Sequence, residues 1–365
     1  MVLDPALDIF WLGKAVSVAT RTRNALTDLR RDLAYLDSAR RAVLPLPTDP
    51  RPVGGSPFPV DVSTSLPALA GRRVSVSATG GSGAMASLLG VLRAFEEAGL
   101  RPAALSVCSG SALFGFPWAA GVPADEVADF LLRLHPGDYV DPDWRRLATL
   151  VPTLGRGFGG IVRGEAIEAA LLDWLGDITL GDLEVPCYSP AWQVEENRLV
   201  FLGPRTFPEL TVARAIRVSI ALPLFFAPVP LDDGWYCDGG VVDVFPVRPL
   251  LELEPPPDAA LAVNCFWPTG LTGEERHGWQ DEAFSLLGIE SQVRTANHLQ
   301  HSRDNLDRLH RNCPTVLLEP VPYATVHGSG LTRHFVDSSR WPQFMMAGLV
   351  DGRQGLRTLA ELLSS

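Results

Sequence analysis

The sequence predicts an α/β protein with a mostly parallel central sheet and helices on both faces. Three observations predict it. Short apolar segments of strand character alternate with longer segments whose apolar residues recur at helical spacing. Turns rich in glycine, serine or aspartate separate the two. The turns with chemically useful residues follow predicted strands, and ligands of open parallel sheets bind at the carboxyl ends of strands.

The elements follow in order. Residues 14–42 read as a helix, with Ala, Leu and Val spaced among Arg and Asp. The stretch 45–67, "PLPTDPRPVGGSPFPVDVSTSLP", is dense in Pro, Ser and Gly and reads as an extended linker. Residues 1–70 are thus expected to form an arm and linker, 71–325 the main domain, and 326–365 a closing loop and helix. "RRVSVSA" (72–78) alternates like a strand, "GGSG" (80–83) breaks it, and 84–100 has helical spacing that Gly99 stops. "AALSV" (103–107) is a second strand, and the almost wholly apolar "SALFGFPWAAG" (111–121) is a helix buried on most sides. Pro123 starts the next helix. Residues 136–162 read as irregular, a candidate lid. A helix follows over 164–176, two strands around a polar turn over 185–203, and a helix over 211–221 that Pro223 ends. "GWYCDGGVVDVFPV" (234–247) is a strand entering a Gly-Gly turn. "ALAVNCFW" and "TVLLEP" are further strands, with a polar helix at 281–311 between them and a last helix near 346–363.

Composition narrows the function. The 365 residues are 46% hydrophobic and 20% charged, which suits a large globular core. A formal net charge of −11 argues against nucleic acid, whose phosphates require a cationic footprint. The five cysteines are widely spaced with no C-x-x-C, which points to free buried thiols. The first residues lack a basic segment before a long apolar run, and no stretch is long and unbroken enough to span a bilayer. A cytoplasmic protein is expected, with contact at a membrane periphery compatible with it.

Three pieces carry chemistry. "TGGSG" (79–83) lies between a strand and a helix, so its N–H groups can converge on an anion or oxyanion. It is not a P-loop, because no G-K-[ST] follows. A glycine turn there also serves as a tight connection. Ser109 sits on a strand-to-helix turn, the position of a nucleophile elbow and equally of a helix N-cap. "CDGG" (237–240) holds Asp238 at a strand end, where it is either an exposed carboxylate or a turn former.

Order and spacing separate these alternatives. "GGSGAMASLLGVLRAFEEAGL" resembles the glycine turn and helix of the patatin-like phospholipase family, G-G-G-x-[KR]-G followed by G-V-L-x-x-L-E-E-x-G. "VCSGSAL" resembles its serine motif G-T-S-A-G-A-L, and "AIRVSIALPLFFAPVPLDDGWYCDGGVVDVFPVRPL" its aspartate segment. The register that makes Ser109 the nucleophile also aligns Ala119, Ala120 and Gly121 with the family's A-A-G without a gap; the register that would use Ser111 does not. The resemblance covers roughly residues 72–320.

The resemblance implies a three-layer patatin-like fold and a Ser–Asp dyad. Asp238 would accept the Ser109 proton, with N–H groups of Gly80, Gly81, Ser82 and Gly83 as oxyanion donors and Gly239 and Gly240 as the supporting turn. It implies a lipid or acyl-ester substrate, an acyl-enzyme, and no cofactor or metal. Acyl transfer to another acceptor and a non-catalytic lipid-binding scaffold are the alternatives, as is a Ser–His–Asp triad with a late histidine. His298 and His301 read as a solvated helix face, and His327 and His334 receive no role. Among the departures from the family pattern, Ala84 stands for its basic residue, Met85 for the next glycine, and Val107 and Ser111 for the glycines of the serine motif. Bulk at Val107 is expected to crowd a sharp turn.

Overall fold

A computed structural model describes residues 54–60, 63–81, 83–149, 157–266, 285–322, 325 and 337–364. The expected helix at 14–42, Ser82, His327 and His334 lie outside the described residues.

The strands and helices alternate as expected. They are β1 (Val74–Ala78), α1 (Ser87–Glu97), β2 (Leu105–Ser106), α2 (Ala112–Ala119) and α3 (Ala124–Arg133). Short helices α4 (Pro136–Tyr139) and α5 (Trp144–Thr149) follow, then β3 (Gly160–Val162) and α6 (Glu165–Leu175). Next come β4 (Cys187–Gln193), β5 (Arg198–Leu202), α7 (Val212–Ser219), β6 (Leu224–Phe226), β7 (Val229–Leu231) and β8 (Gly234–Asp238). The described chain closes with α8 (Arg248–Leu251), β9 (Ala259–Val263), α9 (Ser285–Asn312), β10 (Thr315–Leu318) and α10 (Trp341–Leu362).

Eight strands form one sheet in the order β10-β9-β1-β2-β4-β8-β7, with β5 also on β4. From β10 to β4 every pairing is parallel; β5, β7 and β8 pair antiparallel. Alternation along β1 divides the layers. Val74, Val76 and Ala78 join the large core under α1, α2, α7 and α10. Ser75 and Ser77 point the other way, where Ala260 and Ala262 pack with Phe245, Val247, Leu309 and Cys313 under α9. Helices therefore cover both faces, in the three-layer α/β arrangement the sequence predicts. All five cysteines are free and buried. No helix among the described residues is long and apolar enough to cross a membrane.

Two regions differ from the sequence reading. Residues 136–162 are not simply irregular. Pro136 starts α4, where His135 accepts from Gly137 N–H and Asp138 returns a bond to the His135 N–H. β3 pairs with β6 in a separate two-stranded sheet. The described part of the Pro-rich stretch is not free of the body either. Phe58 and Leu69 are buried in the core and Thr64 N–H bonds the Glu97 carbonyl, because large apolar side chains among the prolines still gain by burial.

α10 lies along α1 at close range. A Cβ on Gly348 would fall 1.8 Å from the Ser87 carbonyl oxygen, and one on Gly90 would fall 1.9 Å from that of Met345. Arg353 clamps the pair, its Nε and Nη2 reaching the buried Glu97 carboxylate at 2.7 and 2.9 Å. Glycine on both helices lets backbone meet backbone, which fixes α1 directly behind the glycine turn. Gly348→Val is expected to cost about 3 kcal/mol through this clash, read as a lowered denaturation midpoint. Val350→Ala, at an exposed position of the same helix, is expected to stay within about 0.5 kcal/mol.

Candidate active site

β2 is short because the chain leaves the sheet to make a tight turn. Cys108 is extended, Ser109 has φ of +52°, and a 3-10 turn over Ser109–Ser111 runs straight into α2. A positive φ on a residue other than glycine is uncommon and stores backbone strain. Asn197 is the other such residue among those described, and it sits in the β4–β5 turn. Ser109 does not act as a cap: Cys108 holds the N-cap position of the 3-10 turn, and neither that turn nor α2 has a side-chain cap. The Ser109 hydroxyl instead acts on the Asp238 carboxylate, favouring its charged form.

The reason these two groups meet lies in β8. It does not run parallel, as a strand presenting its aspartate at a common carboxyl edge would; it runs antiparallel to β4, with Ala191 opposite Asp238. Val107 N–H bonds the Tyr188 carbonyl, and Val194 N–H bonds the Trp235 carbonyl. Backbone groups two apart along a strand face the same edge, so β2 and β8 share one edge of β4 and abut end to end. Ser109 and Asp238 occupy the junction.

Asp238 is almost fully buried and accepts the Gly240 N–H at 2.7 Å. Burial pushes its carboxyl up to about 7, against the hydrogen bonds from Ser109 and Gly240. Both glycines of its turn are sterically required. A Cβ on Gly239 would lie 2.4 Å from the Pro190 carbonyl carbon, and one on Gly240 would lie 2.8 Å from Cys108 Sγ. Cys108 is packed between the turns, and burial raises its thiol well above the ordinary range.

The glycine turn reaches the same place. A Cβ on Gly80 would fall 2.9 Å from that of Ser109. The Gly80 N–H is directed at the Val244 carbonyl, 3.2 Å away. Gly81 has φ of +139° and backs onto Cys265 and Phe266, and Gly83 opens the 3-10 turn Gly83–Ala86 before α1. The structure thus brings Gly80 to the serine turn and Gly81 and Gly83 into the loop beside it.

The structure accommodates Ala84, Met85, Val107 and Ser111. Val107 does not crowd the turn: its Cγ1 fills the space a Cβ on Gly115 would need, 2.7 Å away. Ser111 is buried and donates its hydroxyl to the Thr79 carbonyl at 2.6 Å, tying the serine turn to the glycine turn. Ala84 and Met85 are buried, and Met85 Sδ occupies the space over Gly110. A cavity of about 1090 Å³, counted to its open mouth, begins at Ser109 and runs between Met85, Leu113, Tyr139, Phe226 and Trp341. Its lining is overwhelmingly apolar, and Trp341 comes from α10.

Sequence reasoning missed one set of contacts. His301 is not only a solvated helix residue; its Nε2 lies 3.4 Å from Asp243 Oδ1, in the turn that follows Asp238. Spacing along a polar helix contains no signal for a partner 58 residues away in sequence (301 − 243). Among the described residues no histidine lines the cavity, and no group of three His, Cys, Asp or Glu side chains forms a metal site.

Fold and site define an α/β protein with a strained serine beside a buried aspartate at the mouth of an apolar cavity. The sequence model described as Patatin-like phospholipase matches residues 76–251, from within β1 to the end of α8. Uncharacterized NTE family proteins of Mycobacterium tuberculosis and Mycobacterium bovis are 27% identical over 192 residues, which is 53% of this chain and 49% of theirs. The chain therefore spans about half the length of the curated relatives it matches. Among solved structures, VipD from Legionella pneumophila overlaps at a TM-score of 0.41, with 14% identity over 87% of this chain and 73% of that one. Human GIVD cytosolic phospholipase A2 overlaps at 0.44, with 12% identity over 92% and 63%. Overlaps at that level carry no functional inference.

The packing of Val107 on Gly115 is open to a double-mutant cycle. Gly115→Ala is expected to destabilise the native chain by about 1–3 kcal/mol and to cost less in a Val107→Ala background. The coupling energy should exceed about 0.5 kcal/mol in denaturant titrations.

Proposed function

We propose that this chain is a lipid acyl hydrolase working through a Ser109–Asp238 dyad. The observation that carries the reading is the strained Ser109, at the mouth of an apolar cavity, placed so that its hydroxyl acts on the buried Asp238 carboxylate. The match to the patatin-like phospholipase model supports the coarser part, a lipid ester as substrate. In the proposed reaction Asp238 takes the hydroxyl proton as Ser109 Oγ attacks the ester carbonyl. The proton passes to the departing alcohol, leaving an acyl-enzyme. Water, activated by the same carboxylate, then releases the fatty acid and restores the serine. The N–H groups of Gly81, Ser82 and Gly83 are the proposed oxyanion donors. Gly80 is the weakest of the four, because its N–H already faces Val244. In other serine hydrolases one such donor is worth about 2.7–4 kcal/mol. The positive end of α2 adds to the field at Ser109. The acyl chain is proposed to lie along the Met85–Leu113–Phe226 wall, and the catalytic unit to extend from residue 71 to α10, since Trp341 completes that wall.

Asp238 must be ionised to accept a proton, and its carboxyl is raised to about 7. Ester hydrolysis is therefore expected to fall about tenfold per unit as pH drops below about 7. Stability follows the opposite course. The folded state holds a proton that the unfolded chain releases from 3.8 upward, so stability declines as pH rises from about 4 to about 7 and is level above. Asp238→Asn keeps the acceptor for Gly240 and removes the buried charge. It is expected to lose turnover by at least about 10³-fold while melting no lower than the wild type at pH 8. Ser109→Ala is expected to lose turnover equally. Comparable residual hydrolysis of phospholipid or neutral-lipid esters by both variants contradicts the proposal.

A further inference from the structure

α9 crosses the sheet face opposite α1, and its contacts reach the dyad through one residue. Asn305 is buried and donates Nδ2 to the Phe245 carbonyl at 2.9 Å and to Asp243 Oδ1 at 3.1 Å. One helical turn earlier, His301 brings Nε2 within 3.4 Å of the same oxygen. Asp243 is itself buried, at 4% exposure. Its N–H donates to the Gly239 carbonyl at 2.9 Å, and its own carbonyl accepts the Cys108 thiol at 3.6 Å. One residue thus touches both the turn after Asp238 and the turn before Ser109.

We propose that His301 and Asn305 are positioning residues for the dyad: through Asp243 they hold the Ser109 and Asp238 turns against each other, and the charge on His301 makes that hold sensitive to solvent pH. The inference rests on the dyad reading above. It concerns residues of α9, which lies outside the 76–251 family match.

Asn305 supplies a fixed neutral donor, whereas His301 is nearly half exposed and can lose its proton. The groups facing His301 are Asp243 from the turn after β8, and Asp304, Asn305 and Arg308 on its own helix. The hydrogen bond to Asp243 raises the imidazole above its ordinary value; burial opposes this, the Asp243 and Asp304 charges add to it, and Arg308 opposes it. A raised imidazole contributes fully below its ordinary range, and its contribution is lost as pH rises through the raised value. Deprotonation removes the imidazolium charge facing the Asp243 carboxylate, beside a second buried carboxylate, and the junction loosens.

The test uses the full chain and a soluble short-chain ester, p-nitrophenyl butyrate, with kcat and KM measured across the neutral and alkaline range. Active serines are counted with a fluorophosphonate, so that rates refer to folded enzyme. His301→Ala is expected to lower kcat roughly tenfold, as a small displacement of reacting groups does, with KM little changed and the alkaline decline abolished. His301→Gln keeps a donor without the charge, and is expected to recover most of kcat with no alkaline decline. The proposal is overturned if His301→Ala keeps the wild-type kcat and pH profile. It is also overturned if its loss matches only the loss of titratable serine, or if His301→Gln retains the wild-type alkaline limb. A wild-type chain without turnover defeats the dyad reading itself, an outcome distinct from these.

Discussion

The pairing of the Ser109 hydroxyl with the Asp238 carboxylate is the interaction the rest of the structure serves. It spans a gap between two strands that meet head-on along one edge of β4. A parallel sheet carries β2 to that point and an antiparallel strand brings Asp238 from the opposite direction. Neither strand can continue without displacing the other. Each therefore ends in a turn that ordinary side chains do not permit. Ser109 takes a positive φ, while Gly239 and Gly240 give up their Cβ atoms so that the backbone lies against Pro190 and Cys108. Strain of this kind persists because the surroundings over-determine it. Ser111 ties the serine turn to Thr79, Met85 covers Gly110, and α10 presses α1 against the back of the glycine turn.

Burial gives the same pairing its chemical character. A carboxylate withdrawn from water resists ionisation, so Asp238 rises to about 7, where it can exchange a proton near neutrality. The folded chain bears this cost in its core, and stability and proposed function pull in opposite directions at one residue. Two groups moderate the cost from different elements, the Ser109 hydroxyl and the Gly240 N–H.

Much of this was legible in the sequence, for physical reasons. The strand and helix periods stand out because the sheet is buried on both faces and α2 is apolar all round. The order of glycine turn, serine and Asp-Gly-Gly is readable because Gly80, Gly239 and Gly240 each answer a contact too close for a side chain. What was hidden depends on contacts distant in the chain. The antiparallel course of β8 leaves no mark on its own residues. The fit of Val107 against Gly115 cannot be read at Val107 alone, where the same residue suggested crowding. The short helix Pro136–Tyr139 forms around a local His135–Asp138 cap. His301 looked solvated because a polar helix face does not announce the one buried carboxylate it meets.

The most direct test of the central claim is covalent labelling with a fluorophosphonate, read as intact mass with lipid micelles present and the Ser109→Ala chain alongside. An activated serine displaces fluoride and forms a phosphonate ester. The account predicts a single adduct on the wild type and none on Ser109→Ala. A folded wild-type chain that takes no adduct, or an adduct that persists in Ser109→Ala, contradicts it.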